Sequence, residues 1–217
     1  MKIATFGCSW THGLKQLNNF YSWPYALHKL RPDWKIDNYA VGGSNLQFQT
    51  FLLDDVLRHN TYDKIIFQIT SPGRLTYFEE DYDFTKHLTE FEPNYKRFDI
   101  EDGFFRKVVT ITPGHMKLPK TDSFWNLLGK YDFAKSYYTA VNKSIFRTEY
   151  KALVYYLKDK VDLMFMHNED VLKLDICPVV VEEAKKENVI DSFIADNGEH
   201  FNIEGCDWQA KWLINKL

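Results

Sequence analysis

Lys2-Ile3-Ala4-Thr5-Phe6-Gly7-Cys8-Ser9-Trp10-Thr11-His12-Gly13 stands near the start of the chain, and its reading sets the fold class. Residues 2–7 form a short apolar run of the kind that fills a buried strand, and the run stops at a glycine. Ser9 lies two residues beyond Gly7, and Gly13 follows four residues later. A glycine-flanked turn of this kind lifts a serine out of the strand end to the mouth of a sheet, where its hydroxyl can attack a substrate. Ser9 is therefore the first candidate nucleophile.

Working outward, a helix is predicted over 20–30, closing near Pro32, and a second strand over 34–39. Ser44 reads as the N-cap of the next helix, in which Leu46, Thr50, Leu53 and Leu57 repeat on one face. A third strand is predicted over 63–69, around Ile65-Ile66-Phe67. Strand, helix, strand, helix, strand implies a parallel sheet with helices on both faces, joined by right-handed connections. The pattern breaks after Gly73. Residues 79–102 are acidic and aromatic without a clear period, and 107–112 alternate weakly as a strand would. Residues 75–131 are therefore expected to be an insertion serving as a lid or substrate-binding element. Beyond it the pattern predicts a long helix over 132–157, a strand over 161–166, a short helix over 178–187 and a closing helix over 204–217. The whole reads as one α/β domain over 1–217, a three-layer α/β/α sandwich around a central parallel sheet.

Composition narrows the function classes. Hydrophobic residues make up 45% of the 217 and charged residues 26%, which places the chain among ordinary globular proteins. Aromatic residues at 17% are the outlier, read here as a heavy core before an aromatic-lined cleft. A net charge of −3 gives no basic face for nucleic acid. No apolar stretch approaches the ~20 residues that cross a bilayer, and residues 1–13 do not have the form of a secretory leader, so no membrane partner and a cytoplasmic location are expected. Cys8, Cys177 and Cys206 are far apart, and the seven histidines form no metal-binding pattern. No cofactor and no metal are expected.

In open parallel sheets ligands bind beyond the carboxyl ends of the strands, so the residues after each strand are read together. They are Gly7 to Gly13, Ala40 to Asn45, Thr70 to Arg74, His167 with Asn168, and Asp196 to His200 before the last helix. From these a hydrolytic site can be drawn. Ser9 attacks an acyl carbon, His200 takes its proton and returns it to the leaving group, and an acid near His200 orients the imidazole. Backbone N–H groups near Ser9 and Gly43 receive the oxyanion.

Gly7-Cys8-Ser9-Trp10-Thr11-His12-Gly13 resembles the first block of the SGNH (GDSL-like) hydrolases. Asn38-Tyr39-Ala40-Val41-Gly42-Gly43-Ser44 resembles their second block, in which an Asn precedes the oxyanion-hole glycine; that role falls on Gly43. His200-Phe201-Asn202-Ile203-Glu204-Gly205 resembles their last block. The resemblance runs from the first predicted strand to the last helix, in the family's order. It implies a flavodoxin-like α/β/α fold, no cofactor, and hydrolysis of esters or thioesters, with carbohydrate O-acetyl groups a frequent substrate.

Four positions depart from the family's pattern. Cys8 stands for an aspartate, Phe201 for a proline, and Asn197 where the triad acid belongs; Asp196, one position earlier, takes the orienting role if the loop is remodelled, Glu199 is a poorer candidate, and a serine–histidine dyad without an acid is the other reading. The third block reads Gln68-Ile69-Thr70-Ser71-Pro72-Gly73-Arg74 and offers no asparagine, leaving the hydroxyl of Thr70 or Ser71 as oxyanion donor and Arg74 for an anionic substrate group. The expected substrate is a small-molecule or carbohydrate ester. Transfer of the acyl group to a sugar hydroxyl, or a degraded module that only binds, are the alternatives. Cys8 is read as a small buried residue. His12 is read either as a substrate contact or as a solvated loop residue, and Trp10, Tyr77, Trp125 and Tyr138 as packing.

Overall fold

The computed structural model describes residues 1–13, 21–69, 75–78, 88–98, 108–111, 143–165, 177–193 and 200–217. Its strands are β1 (Lys2–Phe6), β2 (Lys35–Asn38), β3 (Lys64–Ile69), β4 (Leu75–Phe78), β5 (Leu88–Glu92), β6 (Tyr95–Phe98), β7 (Val108–Ile111) and β8 (Asp162–Phe165). The helices are α1 (Ser9–His12), α2 (Trp23–Leu30), α3 (Leu46–His59), α4 (Lys143–Leu157), α5 (Val180–Lys186), α6 (Ile190–Phe193) and α7 (Ile203–Ile214).

Six strands form one sheet in the order β5-β6-β2-β1-β3-β8. All neighbours run parallel except β5, which pairs antiparallel with β6. The sheet reverses direction of growth at β1, with β2 on one side and β3 on the other. That switch point opens the crevice in which doubly wound folds bind ligands.

Side chains alternate across the sheet with period two, and both faces are covered. Ile3, Ile36, Ile66 and Met164 point to one side, where they pack with Trp23 and Leu27 of α2, Val180 of α5 and Ala210 and Leu213 of α7. Ala4, Phe6, Phe67 and Leu163 point to the other, against Leu52, Leu53 and Val56 of α3 and Tyr150, Val154 and Leu157 of α4. The predicted three-layer α/β/α architecture is therefore the observed one.

Local physics sets the helix ends. In α2, Trp23, Ala26 and Leu27 form the buried stripe, and Pro24 sits in the first turn, where its missing N–H costs nothing. The N-cap of α3 is Asn45, whose side chain accepts from the Phe48 N–H at 2.8 Å. Ser44, the expected cap, is spent elsewhere: its hydroxyl lies 2.8 Å from the Val41 carbonyl and 3.2 Å from that of Gly7. The expected helix over 132–157 is described from Lys143 onward.

The stretch predicted to lack a period contains a hairpin. β5 and β6 turn through Asn94, which has φ 66°, and β6 joins the main sheet beside β2. A bulge between Glu90 and Glu92 shifts the alternation by one residue and hides the strand from a period-two reading. β4 and β7 form a separate antiparallel pair.

Candidate active site

β1 ends at Phe6, and Gly7 turns the chain with φ 156°, a conformation that L side chains rarely adopt. A Cβ at Gly7 would collide with Thr11 Oγ1 and lie 3.1 Å from the Gln68 Cβ. The chain then winds at once into α1, whose first turn closes when the N–H groups of Thr11 and His12 donate to the Cys8 carbonyl at 3.0 and 2.9 Å. Ser9 stands at the start of that turn.

Buried amides from α3, β3 and the end of β2 fix the turn. The Gly7 N–H donates to Gln49 Oε1 at 3.0 Å, and Gln49 Nε2 donates to Ser44 Oγ at 3.0 Å. The Val41 N–H donates to the Gly7 carbonyl at 3.1 Å, which seats the Val41–Ser44 turn beside the nucleophile turn. Gly43, in that turn, has φ 77°. Thr11 Oγ1 donates to Gln68 Oε1 at 2.6 Å, and the Trp23 indole N–H points at both oxygens from 3.3 Å. Asn38 Nδ2 donates to the Thr11 carbonyl at 3.0 Å, while its Oδ1 accepts from Thr5 Oγ1 and the Ala40 N–H. Gln49 and Gln68 are both almost fully buried. Each interrupts an apolar face, Gln68 inside β3 and Gln49 one turn before Leu53 on α3. A polar residue at a core position is a readable sequence sign of a buried network.

His200 arrives from the opposite end of the chain. Its Nε2 lies 2.8 Å from Ser9 Oγ, across 191 residues of sequence. With the ring proton on Nδ1, the serine O–H donates to Nε2, the direction that deprotonation by a general base requires. The backbone beside His200 is held by Asn202, which caps α7: its Oδ1 accepts from the Gly205 N–H at 2.9 Å and its Nδ2 donates to the Ser192 carbonyl at 2.7 Å. Its own N–H donates to the Phe193 carbonyl at 2.7 Å. The indole of Trp10 stacks on the His200 ring with centroids 4.9 Å apart.

A narrow crevice lies beside the pair, lined by Gly13, Tyr21, Cys206 and Gln209 as well as Ser9 and His200. Burial pushes the Cys206 thiol up to about 12, and burial with a hydrogen bond to Asp207 raises the Tyr21 phenol as well. Both stay neutral near neutral pH. Cys8 is buried, with Gln68 Nε2 3.9 Å from its sulfur. His12 is neither solvated nor in an open site: it is 5% exposed, and its ring nitrogens face the carbonyls of Gly13 and Phe98 at 3.1 and 3.4 Å. Asp196, Thr70, Ser71 and Arg74 lie outside the described residues, as do Asn197, Glu199, His167 and Asn168. Among the described residues no three His, Cys, Asp or Glu side chains gather as a metal site, and no helix is long and apolar enough to cross a membrane.

Ser9, just after the first strand, thus lies within hydrogen-bond distance of His200, just before the last helix of an α/β/α sandwich. The chain is similar in structure to the lipase/acylhydrolase from Enterococcus faecalis, with TM-score 0.51 and 11% identity over 99% of this chain and 94% of that one. It is likewise similar to a member of the lipolytic protein G-D-S-L family from Veillonella parvula DSM 2008, with TM-score 0.50 and 11% identity over 100% of both chains. No family model matches the chain, and no curated protein matches it in sequence. The chain has the fold of the SGNH (GDSL-like) hydrolases.

Proposed function

We propose that this protein is a serine hydrolase that cleaves acyl esters. One observation carries the reading: Ser9 Oγ and His200 Nε2 are within hydrogen-bond distance at 2.8 Å, at the sheet's switch point. In this reading His200 removes the Ser9 proton as Oγ attacks the ester carbonyl. The tetrahedral oxyanion is received by the N–H groups of Ser9 and Gly43, with a hydroxyl of Thr70 or Ser71 as a further donor. Collapse expels the alcohol, protonated by His200, and leaves an acyl-enzyme on Ser9. Water, deprotonated by His200, then releases the acid. Asp196 is proposed as the acid that orients the imidazole, Arg74 as the contact for an anionic substrate group, and 75–131 as the element that shapes the pocket. Carbohydrate O-acetyl groups are the proposed substrate class.

The test is labelling by a serine-directed fluorophosphonate alongside turnover of short-chain aryl esters. Wild type should label and turn over. Ser9→Ala should lose labelling altogether, and both Ser9→Ala and His200→Gln should lose turnover by about 1,000-fold or more, with the double variant little worse than either single. Labelling that survives in Ser9→Ala, or a wild type that neither labels nor turns over any ester in the panel, would refute the proposal.

A further inference from the structure

Trp10 follows Ser9 on the same short turn, so a single element brings both a hydroxyl and an indole to His200. The two ring planes meet at 30°, which presents the indole face to the imidazole. Trp10 also meets Phe201 at 5.2 Å and 79°, edge to face. Phe201 is 2% exposed and is itself wedged against Phe193 and Trp208. Trp10 thus rests on the core and cannot swing away without losing that packing.

An indole face carries the negative side of the ring quadrupole and favours a cation over a neutral ring. During acyl transfer the imidazole becomes a cation as it takes up the proton from Ser9. We propose that Trp10 is a positioning residue that keeps the His200 ring directed at Ser9 and stabilises its charged form during acyl transfer. The proposal rests on the hydrolase reading above. This role adds to the orientation proposed above for Asp196. Among the described residues, the titratable groups lining the crevice beside the ring are Tyr21 and Cys206, both neutral, and Asp207 accepts the Tyr21 hydrogen bond. From α1 the contacts are Ser9 and Trp10 themselves.

Leucine at position 10 keeps an apolar cover over the imidazole and removes the π face, whereas phenylalanine keeps the face. With p-nitrophenyl acetate as substrate, Trp10→Leu should lower kcat by about 3-fold to 30-fold and leave KM within about 2-fold, while Trp10→Phe restores most of the loss. In parallel, the titration of His200 is followed by NMR on protein labelled in histidine, the resonance being identified by its loss in His200→Gln. Its midpoint should be lower in Trp10→Leu than in wild type or Trp10→Phe.

An unmoved midpoint in Trp10→Leu, an unchanged kcat, a loss carried by KM, or a Phe variant as impaired as Leu would each overturn the proposal. If wild type turned over no ester, the hydrolase reading would fall, while the NMR comparison would still decide whether the indole stabilises the charged ring. Should Trp10→Leu fail to fold, Trp10→Met carries the same comparison.

Discussion

Gly7→Ala is the sharpest perturbation of the nucleophile turn. The new methyl would collide with Thr11 Oγ1, lie 3.0 Å from the Thr11 Cβ and 3.1 Å from the Gln68 Cβ, and require a side chain to sit at φ 156°. Overpacking of a rigid site costs about 1–3 kcal/mol, and forcing a non-glycine residue into such a backbone region costs a similar amount. Relief by moving Thr11 would break its 2.6 Å bond to Gln68 and leave a buried amide oxygen short of a donor. The expected loss is about 3 kcal/mol or more, which for a chain of this length lowers Tm by about 6–12 °C. Thermal and urea unfolding followed by circular dichroism would measure it. Gly42→Ala is the control, because a Cβ there meets nothing within 4 Å. That variant should stay within about 0.5 kcal/mol of wild type. In the Gly7→Ala/Thr11→Ala double variant the offending hydroxyl is gone, so the two losses should add to less than their sum by about 1 kcal/mol. A Gly7→Ala protein as stable as wild type, or a Gly42→Ala protein as damaged as Gly7→Ala, would refute the steric reasoning.

Two further outcomes follow from the ground around His200. Asn202→Ala removes the cap of α7 and the bond to Ser192, and should cost about 1–2 kcal/mol in urea unfolding, whereas Asn202→Asp keeps the acceptor and should lose less. The Cys206 thiol is held at about 12 by burial against an ordinary 9.0, so the unfolded chain releases this proton first. Its contribution is complete below pH 9.0 and is lost as pH rises toward 12. The stability of wild type should therefore fall more steeply above pH 9.0 than that of Cys206→Ala, by about 1 kcal/mol per pH unit. Parallel slopes for the two proteins would count against a buried neutral thiol.

The layers, and the approach of Ser9 and His200 in the candidate site, were legible because both follow from short-range pattern. Apolar runs at 2–7 and 63–69 and the intervening helical faces dictate a two-sided sheet, and a serine after the first strand has to face the switch point. What escaped depended on tertiary competition. Ser44 and Asn45 have equal chemical claims to cap α3; Asn45 takes the cap because Ser44 Oγ is engaged by the Gly7 and Val41 carbonyls, contacts a linear reading does not contain. The β5–β6 hairpin carried a turn signal in Pro93-Asn94, but its bulge broke the alternation that marks a strand. His12 looked like a loop residue because polarity alone does not tell a solvated ring from one facing two buried carbonyls.

The departures from the family's pattern make sense in terms of that buried network. A carboxylate at position 8 would sit where Cys8 is 3% exposed, and burying its charge would require donors of its own. Here Gln68 Nε2 faces position 8, whereas Thr11 Oγ1 and the Trp23 indole both point at Gln68 Oε1 and Asn38 Nδ2 is spent on the Thr11 carbonyl. A thiol makes no comparable demand, and Gln68 Nε2 can face its sulfur at 3.9 Å at little cost. The turn is shaped instead by neutral amides: Gln49 holds Gly7, Gln68 holds Thr11, and Asn38 ties the end of β2 to both β1 and α1. Such a cradle is neutral. It also holds the Ser9 turn without help from the side chain at position 8, which is why a cysteine there is compatible with the 2.8 Å contact.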